Sequence, residues 1–512
     1  MTPVRPTLSS IVATIGPASD SPEMVAKLID AGVAVFRFNF SHGTFEDHRR
    51  RLEVVRTVAS HKCCCIAVLG DLPGPKIRIG QVPDPGITLA AGQDFLIDPA
   101  LQTSESAASD RPARFGCTYT QIGRDVQPGH RVLINDGAIR AVAMERQPED
   151  APTALRCRVT TGGLVTSKKG INLPQTDVSI PALTERDWAC IEWAVRHGMD
   201  FLALSFVRSA SEVRTLRERL AGMCSVDGNA GNAAGGAAIP VIAKIETPQA
   251  VAAIDEIAKE ADAMMVARGD LGVEMDIAVV PIVQKRILAA ADKFRKPCIV
   301  ATQMLESMIH SPTPTRAEAG DVATAVIEGA DAVMLSAESA TGQYPVLAVE
   351  TMRRIIGNAE TWMRETGSRP TPTSDPTTAM HPAAAVAHGV YHIAKDVGAK
   401  LIVCWSQRGG TARYLSQAGL DVPIIAYSSS ETATRRMVLM KGVVPLLAQA
   451  PTESSLSEWN RMVDDELLKR EWLKPGDQIV LVAGRPLGVA KPASVVAVHS
   501  VGDKTTGFYR HP

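Results

Sequence analysis

The run PVIAKIETPQAVAAIDEIAKEADAMMVARGDL, residues 240–271, decides the fold. It opens on an apolar strand pattern, Pro240–Glu246, continues through a helical pattern, Pro248–Ala261, and closes on a second apolar run, Ala263–Leu271. Continuous apolar strands alternating with helices are the mark of a parallel sheet covered on its outer face. Each predicted strand also ends on two charged residues at a spacing of two: Lys244 with Glu246, and Arg268 with Asp270. Side chains at i and i+2 of a strand share a face, so each pair points one way.

The same rhythm extends in both directions. Upstream come a strand over Leu8–Gly16, a helix opened by Ser21-Pro22-Glu23 and stopped near Gly32, a strand over Val33–Phe40, a helix over Thr44–His61 and a strand over Cys64–Leu72. Residues 75–177 break it with short alternating segments and Gly, Pro and Asp turns, as in Arg131–Gly137 and Leu155–Val159. That pattern predicts a separate β-rich unit. Alternation resumes with helix Thr184–His197, strand Phe201–Val207 and helix Ser211–Met223. Beyond Leu271 it continues with helix Val280–Phe294, strand Pro297–Leu305, helix Thr315–Gly329, strand Asp331–Ser339 and a long helix near 345–363. Eight strand–helix units predict an α/β fold, a (β/α)8 TIM barrel formed by 1–74 and 178–365 and interrupted by a β-barrel-like lid over 75–177. Residues 224–238 (CSVDGNAGNAAGGAA) read as a surface loop, and 366–382 as a linker rich in Pro, Thr and Ser. The pattern over 383–512 predicts a third, doubly wound α/β domain.

Composition narrows the function. With 54 basic and 55 acidic residues the net charge is −1, which argues against nucleic acid or an acidic membrane as the main partner. Nine cysteines include the adjacent Cys63, Cys64 and Cys65 but no CxxC pair, so neither zinc spacing nor a disulfide framework is expected. No signal pattern opens the chain and no apolar run is long enough to cross a bilayer, which predicts a cytoplasmic protein.

Polar residues gather where the predicted barrel strands end. Arg37 and Asn39, followed by Ser41, close the second strand, and Asp71 closes the third. Lys244 with Glu246, Arg268 with Asp270, and Ser336 with Glu338 close three more, and Thr302, Gln303 and Glu306 follow Ile299-Val-Ala301. A salt bridge or a strand end meeting water accounts for any one pair. Six strands converging on the C-terminal rim, where barrels carry their active sites, point to a site. Glu246 and Asp270 are hard oxygen donors; two carboxylates with room for water and phosphate suit Mg²⁺ better than Ca²⁺. Arg37 and Lys244 add fixed positive charge, as phosphoryl transfer requires. Neither a P-loop nor a kinase Gly-rich loop is present.

These motifs resemble those of the pyruvate kinase family. The matching runs are Thr14–Ala18, Phe38–Gly43, Gly74-Pro75 with Arg78, Lys169–Pro174, Leu204–Arg208, Ala243–Glu246, Arg268–Gly272, Ala301–Met308, Pro314–Glu318 and Met334–Glu338. The resemblance implies phosphoryl transfer from phosphoenolpyruvate to ADP with Mg²⁺ or Mn²⁺. It implies that Lys244 stabilises the phosphoryl group, that Arg37 binds it, and that Glu246 and Asp270 hold the metal. The backbone of Ala267, Arg268 and Gly269 receives the substrate carboxylate, Ser205 lines the same site, and Thr302 lies near the carbon that is protonated. Asn39, Ser41, His42, Arg78 and Lys169 contact nucleotide phosphates, Lys169 from the lid.

The chain departs from the family pattern at Leu72 and Lys76, where members that need K⁺ carry Thr and Glu. Asn39, Ser41 and Asp71, which resemble the remaining cation ligands, are kept. An ammonium at Lys76 in place of K⁺ predicts an enzyme that works without it; the alternative is a solvated Lys76 with K⁺ held by backbone carbonyls, Leu72 included. Ala337, Ser339, Thr324 and Gln175 are milder departures. In the C-terminal domain Ser406-Gln-Arg408-Gly409-Gly-Thr411 resembles the family's effector-phosphate loop, and Gly484–Gly488 a second loop of that pocket; an ordinary strand-to-helix turn explains them equally. The resemblance further implies a homotetramer. Two rivals remain at this point: another Mg²⁺-dependent barrel enzyme acting on an enolate, and a catalytically inactive paralogue serving as a sensor or scaffold.

Overall fold

The computed structural model describes residues 7–109, 111–148, 151–226, 238–367, 381–451 and 455–509. Eight parallel strands close into a barrel: β1 (Ser10–Thr14), β2 (Val33–Asn39), β3 (Ala67–Asp71), β4 (Phe201–Leu204), β5 (Val241–Ile245), β6 (Ala263–Ala267), β7 (Cys298–Ala301) and β8 (Ala332–Leu335), with β8 pairing back to β1. Alternation divides each strand. Val12, Val35, Leu69, Ala203, Ile242, Met265, Ile299 and Met334 fill the barrel interior. Their neighbours, such as Ile11, Phe36, Val68, Ala243 and Val300, face the surrounding helices.

Local chemistry sets the helix ends. Ser21 caps Pro22–Ala31, with Gly32 at φ +122° closing it. Thr44, Thr184 and Thr315 each form a reciprocal capping box with the acidic residue three positions on, which satisfies two otherwise unpaired N–H groups at each start. The predicted helix over 248–261 divides into Pro248–Ala252 and Ile254–Glu260.

The expected strand over Phe201–Val207 ends at Leu204, and three others also stop early in ways that bear on the site. β6 ends at Ala267, and Arg268–Glu274 forms a short helix. Arg268 and Asp270 therefore do not share a strand face; they sit in the first turn of that helix. β7 ends at Ala301, after which Thr302 and Gln303 both take left-handed φ, +69° and +55°. β8 ends at Leu335, and Glu338 lies in the short helix Ala337–Ala340. In all three places the apolar run ends and a tight turn carries the chain over the rim.

Between β3 and β4 the chain builds a six-stranded sheet in the order Ile171–Asn172, Arg131–Ile134, Ile139–Arg146, Leu155–Thr161, Asp94–Ile97 and Ala113–Phe115. Its core is its own, centred on Phe95, Phe115, Val132 and Cys157. A second body after residue 381 is a five-stranded sheet ordered Val443–Leu447, Ile424–Ser428, Leu401–Trp405, Gln478–Ala483 and Val495–Ser500, the last strand antiparallel. It docks on the N-terminal mouth of the barrel. Val438 and Leu439 join the barrel's interior cluster, and Ser10 Oγ donates to the Val438 carbonyl at 2.7 Å. Asp200 ties the same junction, accepting from Arg56 and from Arg435, each at 2.8 Å. The loop reading of 224–238 and the linker reading of 366–382 fall largely on 227–237 and 368–380, which lie outside the described residues.

Candidate active site

At the C-terminal end of the barrel the inward positions turn from apolar to polar. Thr14, Arg37, Asp71 and Lys244 follow Val12, Val35, Leu69 and Ile242 on the same strand faces, so the alternation that builds the core also aims these groups into the mouth. They form one chain of contacts. Arg37 donates to Thr14 Oγ1 at 3.0 Å through one Nη and to Asp71 Oδ2 at 2.7 Å through Nε. Lys244 Nζ lies 3.1 Å from Asp71 Oδ1, 2.8 Å from Ser205 Oγ and 2.9 Å from Glu246 Oε1.

Asp71 and Glu246 are buried to within 2%. Burial opposes the charge on Lys244, but the Asp71 and Glu246 carboxylates outweigh it and raise the lysine's proton affinity. Burial likewise opposes charge on Asp71, and there Lys244 and Arg37 win and lower its pKa. Glu246 goes the other way: burial pushes its carboxyl up, Lys244 pulls it back and Asp270 adds to the push. Its Oε2 accepts the Phe206 N–H at 2.7 Å, while Oε1 has Lys244 near it but no aligned hydrogen bond.

These donors fit a divalent cation. A buried carboxylate with one oxygen free of aligned donors, beside the partly exposed Asp270, offers two hard ligands. Among the described residues no cluster of three or more His, Cys, Asp or Glu adds further ligands. Two carboxylates that leave the other coordination positions to water and phosphate oxygens would suit Mg²⁺.

The turn after β7 is held by Arg268, whose guanidinium donates to the Thr302 and Gln303 carbonyls and pairs with Asp321 at 2.6 Å. Thr302 Oγ1 accepts the Gly269 N–H at 2.7 Å and donates to the Ala301 carbonyl at 2.6 Å. A β-branched residue at positive φ is a strained conformation that persists only where neighbours over-determine it, and these contacts do so. A Cβ on Gly269 would come within 3.4 Å of Thr302 Oγ1.

Several expected rim groups lie elsewhere. Glu338 is buried and accepts the Leu305 and Ser336 N–H groups, buttressing the turn below the mouth. Glu306 and Gln303 are exposed. On the β2 side, Asn39 Oδ1 accepts the Ser41 N–H at 3.1 Å, and Ser41 and His42 are exposed. Arg78 donates to the Lys168 carbonyl at 3.1 Å, and Lys169 follows directly, half-buried. Leu72 is buried in the core, with its carbonyl accepting from Ser205 Oγ at 2.7 Å. Lys76 Nζ stands 3.9 Å from Asp270 and 3.7 Å from Asp136. In the C-terminal body, Ser406 Oγ accepts the Ala412 N–H at 3.0 Å, Gly409 has φ +83°, Thr411 is buried and Arg408 is exposed.

Thr14 was missed as a member of this network. The alternation rule alone finds it, as the last inward position of β1. Glu274, at the end of the helix that carries Asp270, was missed as well.

The fold and the rim define an (β/α)8-barrel enzyme whose mouth combines buried cations with two metal-ready carboxylates, an arrangement for phosphoryl transfer. Residues 7–349 match the family model "Pyruvate kinase, barrel domain" and residues 384–499 match "Pyruvate kinase, alpha/beta domain". Curated pyruvate kinases from Methylorubrum extorquens and Corynebacterium glutamicum are 38% and 37% identical, over 96% and 97% of this chain and 96% and 98% of theirs. A crystal structure of a pyruvate kinase from Cryptosporidium parvum superposes with a TM-score of 0.83 at 30% identity, covering 97% of both chains. The chain belongs to the pyruvate kinase family.

Proposed function

We propose that this chain transfers the phosphoryl group of phosphoenolpyruvate to ADP, giving pyruvate and ATP, with Lys244 at the centre of the reaction. The observation that carries this reading is a buried ammonium kept charged by Asp71 and Glu246 at the mouth of the barrel. In this reading Lys244 and Arg37 set positive charge on the oxygens of the group in flight, in a site dry enough for each contact to count. Glu246 and Asp270 hold Mg²⁺ or Mn²⁺, which when bound neutralises charge on the phosphoryl and enolate oxygens. Ser205 orients the Lys244 ammonium. Backbone groups of Ala267, Arg268 and Gly269 receive the substrate carboxylate, which requires the Gly269 N–H to leave Thr302 Oγ1. Thr302, so released, stands beside the carbon to be protonated.

The unit over 75–177 acts as a lid, bringing Lys169 and Arg78 to the nucleotide phosphates opposite Asn39, Ser41 and His42, and excluding water on closure. K⁺ is not required. Leu72 offers no side-chain oxygen, its carbonyl is engaged by Ser205, Asp71 is engaged by Arg37 and Lys244, and Lys76 supplies an ammonium beside Asp270. The domain after the 366–382 segment is regulatory, with a phosphorylated effector at Ser406, Arg408, Gly409 and Thr411. The assembly is a homotetramer and the location cytoplasmic, in keeping with a glycolytic role; no helix among the described residues is long and apolar enough to cross a membrane. A coupled assay of pyruvate formation tests the central reading: turnover that requires both phosphoenolpyruvate and ADP supports it, and none with either rejects it. The four groups an inactive paralogue should have lost, Lys244, Glu246, Asp270 and Arg37, are all present.

A further inference from the structure

The β-rich unit crosses to the barrel at two points, and each crossing is pinned. Gly74 N–H donates to Asp187 Oδ1 at 3.0 Å. At the return crossing Arg208 donates to the Val178 and Ile180 carbonyls at 2.6 and 2.7 Å. A third tie lies beside them: Asn172 Nδ2 donates to Glu274 Oε1 at 2.7 Å. Asn172 is 5% exposed and Glu274 8%. Asn172 sits three residues past Lys169, and Glu274 closes the helix that carries Asp270.

A cavity of about 70 Å³ borders this tie and reaches both crossings, with Pro75, Val178 and Arg208 as well as Asn172 and Glu274 in its lining. Asn172 Oδ1 has no partner. Two pinned crossings make a hinge, and a further bond from the lid to the helix that carries Asp270, beside the same cavity, bears on the angle about it. An apolar side chain would suit so buried a position better than a carboxyl if packing were its purpose. Burial pushes the Glu274 carboxyl up to about 7, with Asp270 and Glu246 adding to the push and the Asn172 and Arg131 side chains opposing it.

We propose that Glu274 is a positioning residue for the nucleotide half of the reaction, its hydrogen bond to Asn172 latching the lid at the angle that presents Lys169. This rests on the lid reading above. Phosphoenolpyruvate is held by barrel groups, so loosening the latch weakens ADP selectively.

The test compares Glu274→Ala, Glu274→Gln, Asn172→Ala, the Glu274→Ala/Asn172→Ala pair and Lys169→Ala by steady-state kinetics, with hydrogen exchange of the amides around Ile171 as a second readout. The expected result is a KM for ADP raised about tenfold in Glu274→Ala, a KM for phosphoenolpyruvate within about twofold of the parent, and faster exchange at Ile171. Glu274→Gln, which keeps an acceptor oxygen, restores most of the loss, and the double variant is no worse than either single one. Equal changes in both KM values, an altered thermal midpoint with unchanged kinetics, additive single effects, or a Gln variant as impaired as the Ala variant would each overturn the latch. Lys169→Ala separates the two ideas. An unchanged KM for ADP there rejects the lid reading; a raised one beside a normal Glu274→Ala rejects the latch alone.

Discussion

Lys244 Nζ lies 3.1 Å from Asp71 Oδ1 although the two residues sit on barrel strands separated by a third. The contact bridges over the intervening strand, and with Glu246 it gives one buried cation two carboxylate partners. Replacing Lys244 by Met removes the charge and retains most of the volume. We expect turnover to fall by roughly three orders of magnitude or more while substrate binding stays largely intact, read as kcat against KM for phosphoenolpyruvate. Asp71 keeps Arg37 as a partner, so the variant should fold, though less stably. Near-normal turnover would refute the role given to Lys244.

Glu246→Gln keeps the shape and leaves an oxygen to accept the Phe206 N–H, but removes the negative charge. Mn²⁺ titration followed by electron paramagnetic resonance should show weaker binding by about tenfold or more. Unchanged Mn²⁺ affinity would exclude Glu246 as a ligand.

The Leu72 and Lys76 pair makes an ionic prediction. Initial rates in buffer free of K⁺ should match those with K⁺ added. Lys76→Glu puts a carboxylate beside Asp270 in place of an ammonium, and should lower the rate without K⁺ by about tenfold or more. Strong activation of the parent enzyme by K⁺ would reject the reading.

Asp331 supplies a pH-dependent stability term at the junction between the barrel and the C-terminal body. It is buried, accepting the Cys298 N–H at 2.8 Å and Gln417 Nε2 at 2.6 Å. Burial pushes its carboxyl up to about 6, against the pull of Lys441. An unfolded aspartate titrates near 3.9. Between the two values the native state holds a proton that the unfolded chain has released, so stability falls as pH rises through this window, by about 3 kcal/mol once pH 7 is reached. Asp331→Asn has no such titration. Its melting temperature relative to the parent should therefore rise between pH 4.5 and 7; a difference independent of pH would refute the assignment.

The barrel was legible because period-two alternation and period-3.6 helices give different signals, and Ile242, Lys244 and Glu246 fall inward as that alternation requires. Strand ends were less legible. Ala267-Arg-Gly-Asp is compatible with a longer strand or a new helix, and only the tertiary setting chooses the helix. Glu338 resembled a rim residue, yet the turn after β8 rotates it beneath the mouth to meet the Leu305 N–H. Glu274 was beyond reach, since its partner lies 102 residues upstream and neither side chain has a periodic signature.

Val438 and Leu439 finish the packing of the barrel's interior from another domain. A truncation at the segment after Thr366 would leave a tube with an open apolar floor, the lower ends of eight strands wetted and Asp200 without Arg435. The catalytic half is thus not a detachable module. Lys244 stands toward the other end of the same strands, so displacing the C-terminal body would unseal the base of the tube whose mouth holds the site.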